Sequence, residues 1–214
     1  ADLDLWSTEL AELPVDRKVE MALALEGRAR AIDGRIIAVP MASYSDGSAE
    51  VAIATSTGIA SSYRRANGGV SVYVLASDGK DTQSGGGFSV GRMLADLDID
   101  EAAADAAQRA TRLLGATQPA SGRLTVVLDP MVTAQFLMVI SPTLSADAVL
   151  KGRSFFANRV GETVAATSVT LVDDPTDPDA YSASQFDGEG LATRRLPFIN
   201  GGVLQGFAHT AYTA

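Results

Sequence analysis

The residues best suited to chemistry lie in one acidic stretch near the end of the chain, Leu171 to Gln205. Its first half has no Lys or Arg and contains six carboxylates: Asp173, Asp174, Asp177, Asp179, Asp187 and Glu189. Such a cluster could bind a cation or a peptide amine. It could equally be a solvated loop, which is the commoner role of charge-rich segments.

The residues around these carboxylates predict a loop held between β elements. An apolar run at 168–172 leads into the loop, and Pro175 and Pro178 exclude regular structure there because each lacks a backbone donor and fixes φ. Glu189 lies between two glycines, which allow unusual backbone angles. Beyond it, two apolar runs separated by Asn200-Gly201-Gly202 predict a β-hairpin.

Several motifs occur in order along the chain: DDP, FDGEG, T-R-R-x-P and NGGVL-x-GF, preceded by LEGRARAIDGRI, DLDIDEAAADAA, VVLDP and KGRSFF. Together they resemble the TldD/PmbA family over essentially the whole chain. The family includes the paired subunits of a bacterial metallopeptidase, one TldD-like and one TldE/PmbA-like. The resemblance implies further chain on both sides of this segment in family members, so the sequence is expected to be an internal fragment.

The resemblance also locates a missing zinc motif. In TldD-like members, the helix after the strand that matches LTVVL carries HExxxH, whose histidines bind zinc and whose glutamate can act as general base. Here Met138, Val139 and Thr143 stand at those positions, and none can replace the original side chains. We therefore expect no catalytic residue and no metal in this chain, with zinc in a partner subunit, and we expect Met138 and Val139 to be core.

Composition supports the same expectation about metal. The chain has no cysteine and one histidine, His209, so disulfides and thiolate metal sites are excluded. A zinc site normally needs three or four ligands, usually with His or Cys among them. We expect His209 to be a structural or partly exposed side chain on a strand.

Charge and hydropathy restrict the partners. The net charge is −9, and the adjacent basic pairs, which are Arg17-Lys18, Arg64-Arg65 and Arg194-Arg195, belong to no longer basic run, so no surface for binding nucleic acid is expected. No apolar run reaches the ~20 residues that span a bilayer, and the first ten residues do not resemble a signal peptide. We expect a cytoplasmic protein without nucleic-acid or membrane partners.

The periodicity predicts an α+β fold that begins with a helix and an antiparallel meander. The helix runs from Pro14 to about Ala31, with an apolar face formed by Val15, Val19, Ala22, Leu23 and Leu25. Short strands follow from Arg35 to Val90, with turns at Asp46-Gly47, Thr57-Gly58, Asn67-Gly68 and Asp78-Gly79. The glycines at 85–87 lack the Lys-Ser/Thr of a phosphate-binding loop and indicate a flexible hairpin or a strand kink.

The rest of the chain predicts helices and strands in alternation. An alanine-rich helix capped by Asp98 or Asp100 runs through 99–114 to Gly115 and is expected to pack closely on the sheet. A buried strand at 124–128, a helix from Pro130 to Ile140, a second helix at 145–156 and a strand at 162–172 follow. We predict a boundary between residues 1–118 and 119–214, the second part ending in the acidic loop and a β-rich region.

The expected function is that of a metal-free partner subunit of a zinc metallopeptidase that acts on unfolded or extended peptides. Its partner would be a TldD-like homologue with HExxxH, and Asp173, Asp174, Asp187 and Glu189 are the candidates for lining the peptide cleft. Two alternatives stay open. One is a stand-alone hydrolase that uses the same four carboxylates as ligands for a hard metal. The other is a regulatory binding protein without a protease partner.

Overall fold

The computed structural model describes residues 3–214 and has the predicted α+β class, with antiparallel sheets and flanking helices. The chain forms two compact units. The first unit contains residues 4–52 and 62–120, and the second contains Leu3, residues 53–61 and residues 121–214.

The first unit is built from three helices and one three-stranded sheet. In chain order these are α1 (Thr8–Ala11), α2 (Val15–Ile32), β1 (Ile36–Ala54), β2 (Ala60–Ser77), β3 (Thr82–Gly91) and α3 (Ile99–Thr111), with a 3-10 turn at Leu94–Asp96. The sheet order is β1-β2-β3, and β2 pairs antiparallel with β3 from Gly68↔Gly91 to Ser77↔Thr82. The tip of the β1–β2 hairpin, residues 53–61, belongs to the second unit.

The meander is confirmed, but its strands are longer than predicted. Turns occur at Thr57-Gly58 and Asp78-Gly79, where Gly58 and Gly79 have φ of 92° and 87°. The turns predicted at 46–47 and 67–68 are wrong, because both pairs lie inside β1 and β2. The ladder of backbone hydrogen bonds between adjacent strands outweighs the weak local turn preference of Asp-Gly and Asn-Gly.

Helix α2 has the predicted extent, but the predicted apolar face is only partly correct, because Leu25 is buried whereas Val15, Val19 and Leu23 are not. Val15, Val19 and Leu23 are 71%, 51% and 61% exposed, whereas Leu25 and Ala29 are fully buried. Successive residues on a helix turn by about 100°, so Leu23 and Leu25 lie about 160° apart and cannot both face the sheet. Burial follows the contact with the sheet and α3, not the largest apolar side chains.

Helix α3 packs on β3 through small residues on both sides, which confirms the predicted close approach. Asp98 caps the helix by accepting a hydrogen bond from the backbone N–H of Glu101 at 2.8 Å. A Cβ built on Gly85 would lie 2.1 Å from the carbonyl oxygen of Ala106, and one on Gly87 would lie 1.9 Å from that of Ala102. The glycines therefore lie within the regular strand β3 and allow the backbone of the helix to approach it closely. The predicted flexible hairpin or kink is wrong.

The second unit contains shorter elements. They are α4 (Pro130–Ile140), a 3-10 turn at Ser141–Leu144, α5 (Ala146–Leu150), β4 (Leu171–Asp173), β5 (Leu196–Asn200) and β6 (Val203–Leu204). Strands β4, β5 and β6 form an antiparallel sheet in that order, and Asn200↔Val203 closes the predicted Gly201-Gly202 hairpin. The core of this unit consists of Leu144, Phe156, Ile199 and Leu204.

Three of the predicted elements in this unit are absent or shortened. Residues 124–128 form no strand, and Val127 is 93% exposed. The strand predicted at 162–172 is reduced to β4, and the helix predicted at 145–156 ends at Leu150, although Ser145 does cap it. An apolar β-prone run becomes a strand only when another strand accepts its backbone hydrogen bonds, and within residues 3–214 the 124–128 run has no such neighbour.

Helix α4 forms as predicted, but its apolar side chains are not core. It begins at Pro130, as the sequence predicts, and Asp129 caps it by accepting a hydrogen bond from the N–H of Met131. Met138 and Val139 are 76% and 74% exposed, so the prediction that they are buried is wrong. Packing within the described part of this chain therefore does not account for their apolar character.

Within residues 3–214, none of the helices combines the length and the apolar character needed to cross a membrane.

Candidate functional site

The acidic loop and the C-terminal segment of the second unit enclose a surface cleft of about 570 Å³. Three of the four carboxylates singled out in the sequence line it: Asp173, Asp187 and Glu189. Arg194 and His209 are the other ionisable residues in its wall. The remaining wall consists of Pro175, Leu191, Ala192, Thr193, Leu196, Phe207, Ala208, Thr210, Ala211 and Ala214.

Asp187 holds the shape of the loop in the FDGEG motif. One of its carboxylate oxygens accepts hydrogen bonds from the backbone N–H groups of Glu189 and Leu191, both at 2.9 Å. Its own N–H donates to the carbonyl of Leu191 at 2.9 Å, and Phe186 and Ala192 form an antiparallel bridge below it. Asp187 thus acts as the internal cap of a tight loop that points Glu189 outward.

Gly190 explains why this loop needs glycine beside Glu189. Its φ is +81°, in the left-handed region that favours glycine. A Cβ at this position would lie 2.9 Å from Ile59 and 3.0 Å from Ile53, both at the tip of the β1–β2 hairpin. Ser61 also donates a hydrogen bond to the Gly190 carbonyl at 3.4 Å. The tip and the glycine therefore fix the loop on the side away from the cleft.

Glu189 contacts the C-terminal segment directly. Its two carboxylate oxygens lie 2.9 and 3.2 Å from the backbone nitrogen of Ala211, whose N–H they accept. Ala211 is the second residue of a turn in which the N–H of Thr213 donates to the carbonyl of Thr210 at 3.0 Å. The cleft carboxylate therefore binds a main-chain amide of the protein itself.

The other two candidate carboxylates differ from each other. Asp174 is not in the cleft wall. Its carboxylate accepts hydrogen bonds from the hydroxyl of Thr176 at 2.7 Å and from the backbone N–H of Thr176 at 3.2 Å, and it forms an ion pair with Arg195 at 3.2 Å. Asp173 ends β4, is exposed, and lines the cleft. The structure brings Asp173, Asp187 and Glu189 together and leaves Asp174 to a local structural role.

His209 is exposed and follows a single-residue bridge at Ala208, so its placement on a strand is wrong. Its Nδ1 lies 2.7 Å from the carbonyl oxygen of Thr213, within the same terminal turn. The imidazole of His209 is therefore hydrogen-bonded within this turn and stabilises it. Strand β6 pairs with β5 for only two residues, and Ala208 bridges to Ser145 instead.

The donor set does not suit a hard metal ion. Among residues 3–214, no group of three or more His, Cys, Asp or Glu side chains is arranged to hold one. Asp187 and Glu189 are both engaged with backbone N–H groups, which compete for the oxygens that a cation would need. The stand-alone hydrolase therefore gains no support from this site.

The residues on and after α4 do not fit zinc either. Met138 and Val139 lie on the helix, and Thr143 lies in the 3-10 turn that follows, where its hydroxyl donates to the carbonyl of Ile140 at 2.6 Å. A thioether, an isopropyl group and an engaged hydroxyl offer neither the imidazole nor the carboxylate that zinc sites use.

Two features of the cleft were not found from the sequence. Arg194 was noted only in a basic pair and in the T-R-R-x-P motif, although its position five residues after Glu189 on a turning loop could have suggested a shared wall. Ala211 contributes a backbone N–H, and no pattern of residue types indicates such a contribution.

The fold and the site define an α+β protein with an acidic, loop-built cleft. Comparison with known families makes this specific: residues 8–114 match the PmbA/TldA metallopeptidase central domain, and residues 121–214 match the PmbA/TldA metallopeptidase C-terminal domain. The chain belongs to the TldD/PmbA family of metallopeptidases, as its motifs predicted.

Individual relatives agree with this membership. A metalloprotease of Methanothermobacter thermautotrophicus is 34% identical over 65% of this chain and 32% of its own length. A candidate modulator of DNA gyrase from Bacteroides thetaiotaomicron, solved by crystallography, is 31% identical with a TM-score of 0.91, over all of this chain and 49% of its own. TldE from Thermococcus kodakarensis shares the fold, with a TM-score of 0.85 at 22% identity over all of this chain and 48% of its own. This chain thus spans half or less of the length of these relatives.

Proposed function

We propose that this chain is the metal-free partner subunit of a two-chain metallopeptidase, in which a TldD-like homologue carries zinc. The proposal is supported by helix α4 and the turn after it, because the family resemblance places Met138, Val139 and Thr143 at the HExxxH positions and none of the three side chains suits zinc. A helix retained without its ligands is useful in a peptidase only if another chain supplies the metal. The fold shared with a TldE protein is in keeping with this role.

The proposed contribution of this subunit is to bind unfolded or extended peptides in the cytoplasm. Its acidic cleft of about 570 Å³ is large enough for a few residues of an extended chain. Strand β4 is an edge of its sheet and ends at Asp173 in the cleft wall, so it offers main-chain groups beside the carboxylates. Pairing with a strand edge holds a peptide with little demand on its sequence.

The proposal is tested by metal analysis and peptidase assays on the protein purified alone. We expect no stoichiometric zinc and no cleavage of an unfolded peptide substrate, with or without added Zn²⁺. Zinc bound one-to-one at submicromolar affinity in calorimetry would contradict the metal-free role. Activity that rises with Mg²⁺ or Mn²⁺ and is lost in Glu189→Ala would favour a stand-alone hydrolase instead.

A further inference from the structure

The sheet of the first unit has two faces with different surroundings. Helix α3 packs on Gly85 and Gly87 of β3, on the side of the sheet where the valines of β2 are buried. Successive side chains of a strand point to opposite faces, so the residues in between lie on the other face, which we call the open face. Strand β1 contributes Ser43 to it, because the hydroxyl of Ser43 lies 2.8 Å from that of Ser71. The open face consists of Ile37, Met41, Ser43, Ser45, Gly69, Ser71, Tyr73, Leu75, Ser84, Gly86, Phe88 and Val90.

The open face carries large apolar side chains that are exposed. Phe88, Val90 and Tyr73 are 53%, 44% and 40% exposed, and Ile37 and Met41 are 56% and 49% exposed. An antiparallel sheet whose outer face meets water usually presents polar side chains there. None of the residues of the open face is charged, although 20% of the chain is. This composition is that of the centre of a protein interface, where charged residues are depleted and aromatic residues and Met are enriched.

The open face is also corrugated. In three successive cross-strand pairs of β2 and β3, a large apolar residue stands opposite a glycine or a serine: Val90 opposite Gly69, Phe88 opposite Ser71 and Tyr73 opposite Gly86. A Cβ on Gly69 would lie 3.1 Å from Val90, and one on Gly86 would lie 3.8 Å from the ring of Tyr73, so these large side chains lean over their small partners. Ridges beside hollows allow two sheet faces to interdigitate at their usual separation of about 10 Å.

The size of the open face matches one side of a protein interface. Its exposed apolar side chains have roughly 150–250 Å² each and are about half exposed, so together they present roughly 500 Å² of apolar surface. A standard interface takes about 800 Å² from each partner, of which roughly 60% is apolar. The apolar part of the open face is therefore as large as the contribution of one partner to such an interface.

We propose that the open face is the surface through which this chain binds its TldD-like homologue. The inference rests on the proposed function as a partner subunit and deepens it by naming the surface. A homologue with the same central domain presents an equivalent sheet face, so the two faces can pack about a pseudo-twofold axis. A second copy of this chain is the weaker candidate, because two chains of net charge −9 repel each other.

A positive charge placed in the middle of the open face tests the inference. Phe88→Lys would bury an unpaired ammonium group in the interface, so the dissociation constant of the complex with the HExxxH-bearing homologue should rise by about thirtyfold or more. Leu23→Lys is the matched control, because Leu23 is a similarly exposed apolar residue on α2 and the substitution adds the same charge. This control should change the dissociation constant by less than about twofold. Both variants are made in the intact protein, and binding is measured by calorimetry.

A milder variant covers the case in which Phe88→Lys does not fold. Phe88→Ser removes the ring without adding charge and should raise the dissociation constant about tenfold while circular dichroism shows a folded protein. Unchanged binding by a folded Phe88 variant, or equal weakening by Leu23→Lys, would overturn the inference. If the wild-type protein forms no complex with the homologue, the proposed function itself fails and the inference fails with it.

Oxidative footprinting with hydroxyl radicals identifies the occupant without any substitution. The radicals should oxidise Met41, Tyr73 and Phe88 in the free protein, and complex formation should lower this oxidation severalfold while oxidation of Leu23 stays unchanged. Protection of the three side chains in the free protein at high dilution would show that its own chain covers the open face. Protection that appears in the free protein only as its concentration rises would assign a second copy. Either result would overturn the inference.

Discussion

The packing of α3 on β3 yields the sharpest prediction about this fold, because a single added methyl group should be decisive. A Cβ on residue 87 would lie 1.9 Å from the carbonyl oxygen of Ala102, whereas real Cβ atoms keep about 3.0 Å. Gly87→Ala must therefore move the helix by about 1.1 Å. Overpacking of this kind costs about 1–3 kcal/mol, and the gap opened along the five buried alanines of α3 adds to it.

We expect a loss of about 3 kcal/mol or more in the free energy of unfolding for Gly87→Ala. The neighbouring glycine provides the matched control, since a Cβ on Gly86 would meet nothing closer than Tyr73 at 3.8 Å. Gly86→Ala should stay within about 0.5 kcal/mol of wild type. Urea denaturation followed by the fluorescence of Trp6, the single tryptophan and a residue of the first unit, measures both. Equal denaturation midpoints for the two variants would refute the described packing.

Three further predictions concern other parts of the chain. The hydrogen bonds from Arg35 lower the pKa of Asp33 from 3.8 to about 2. The ionised Asp33 carboxylate therefore stabilises the fold fully above pH 4, and this stabilisation is lost as the pH falls towards 2. The melting temperature of wild type should drop more between pH 4 and pH 2 than that of Asp33→Asn. Phe198 is half-buried against the core of the second unit, so Phe198→Ala should lower the free energy of unfolding by roughly 2 kcal/mol, less than the 3–5 kcal/mol expected for a fully buried Phe. Phe155 is exposed, and a smaller loss for Phe198→Ala than for Phe155→Ala in thermal unfolding would contradict the packing of Phe198. Asp187→Ala removes the cap of the FDGEG loop and should speed proteolysis at 188–191, while Asp177→Ala should not.

The sequence was most informative where local signals and packing agree. The caps at Asp98 and Ser145, the helix start at Pro130 and the hairpin at Gly201-Gly202 depend on neighbouring residues only, and all are present. The choice of buried face on α2 depends on which partner the helix meets, and there the largest side chains were misleading. Long-range contact decides burial, and composition does not reveal it.

The same distinction holds for strands and for the candidate site. The run at 124–128 has every local property of a strand, but a strand needs a neighbour, and none pairs with it in the described chain. Three of the four carboxylates that were chosen from the motifs line the cleft. The engagement of Asp187 and Glu189 with backbone N–H groups could not be predicted, because main-chain donors leave no trace in residue type.

The partner-subunit proposal is tested most directly by reconstitution with an HExxxH-bearing homologue from the same source. The two proteins are purified separately, mixed, and assayed on an unfolded peptide, and complex formation is followed by light scattering. We expect a stable complex that buries on the order of 2,000 Å² or more, and cleavage that neither protein shows alone. If the HExxxH homologue cleaves the same peptide equally fast without this chain, the proposal is wrong.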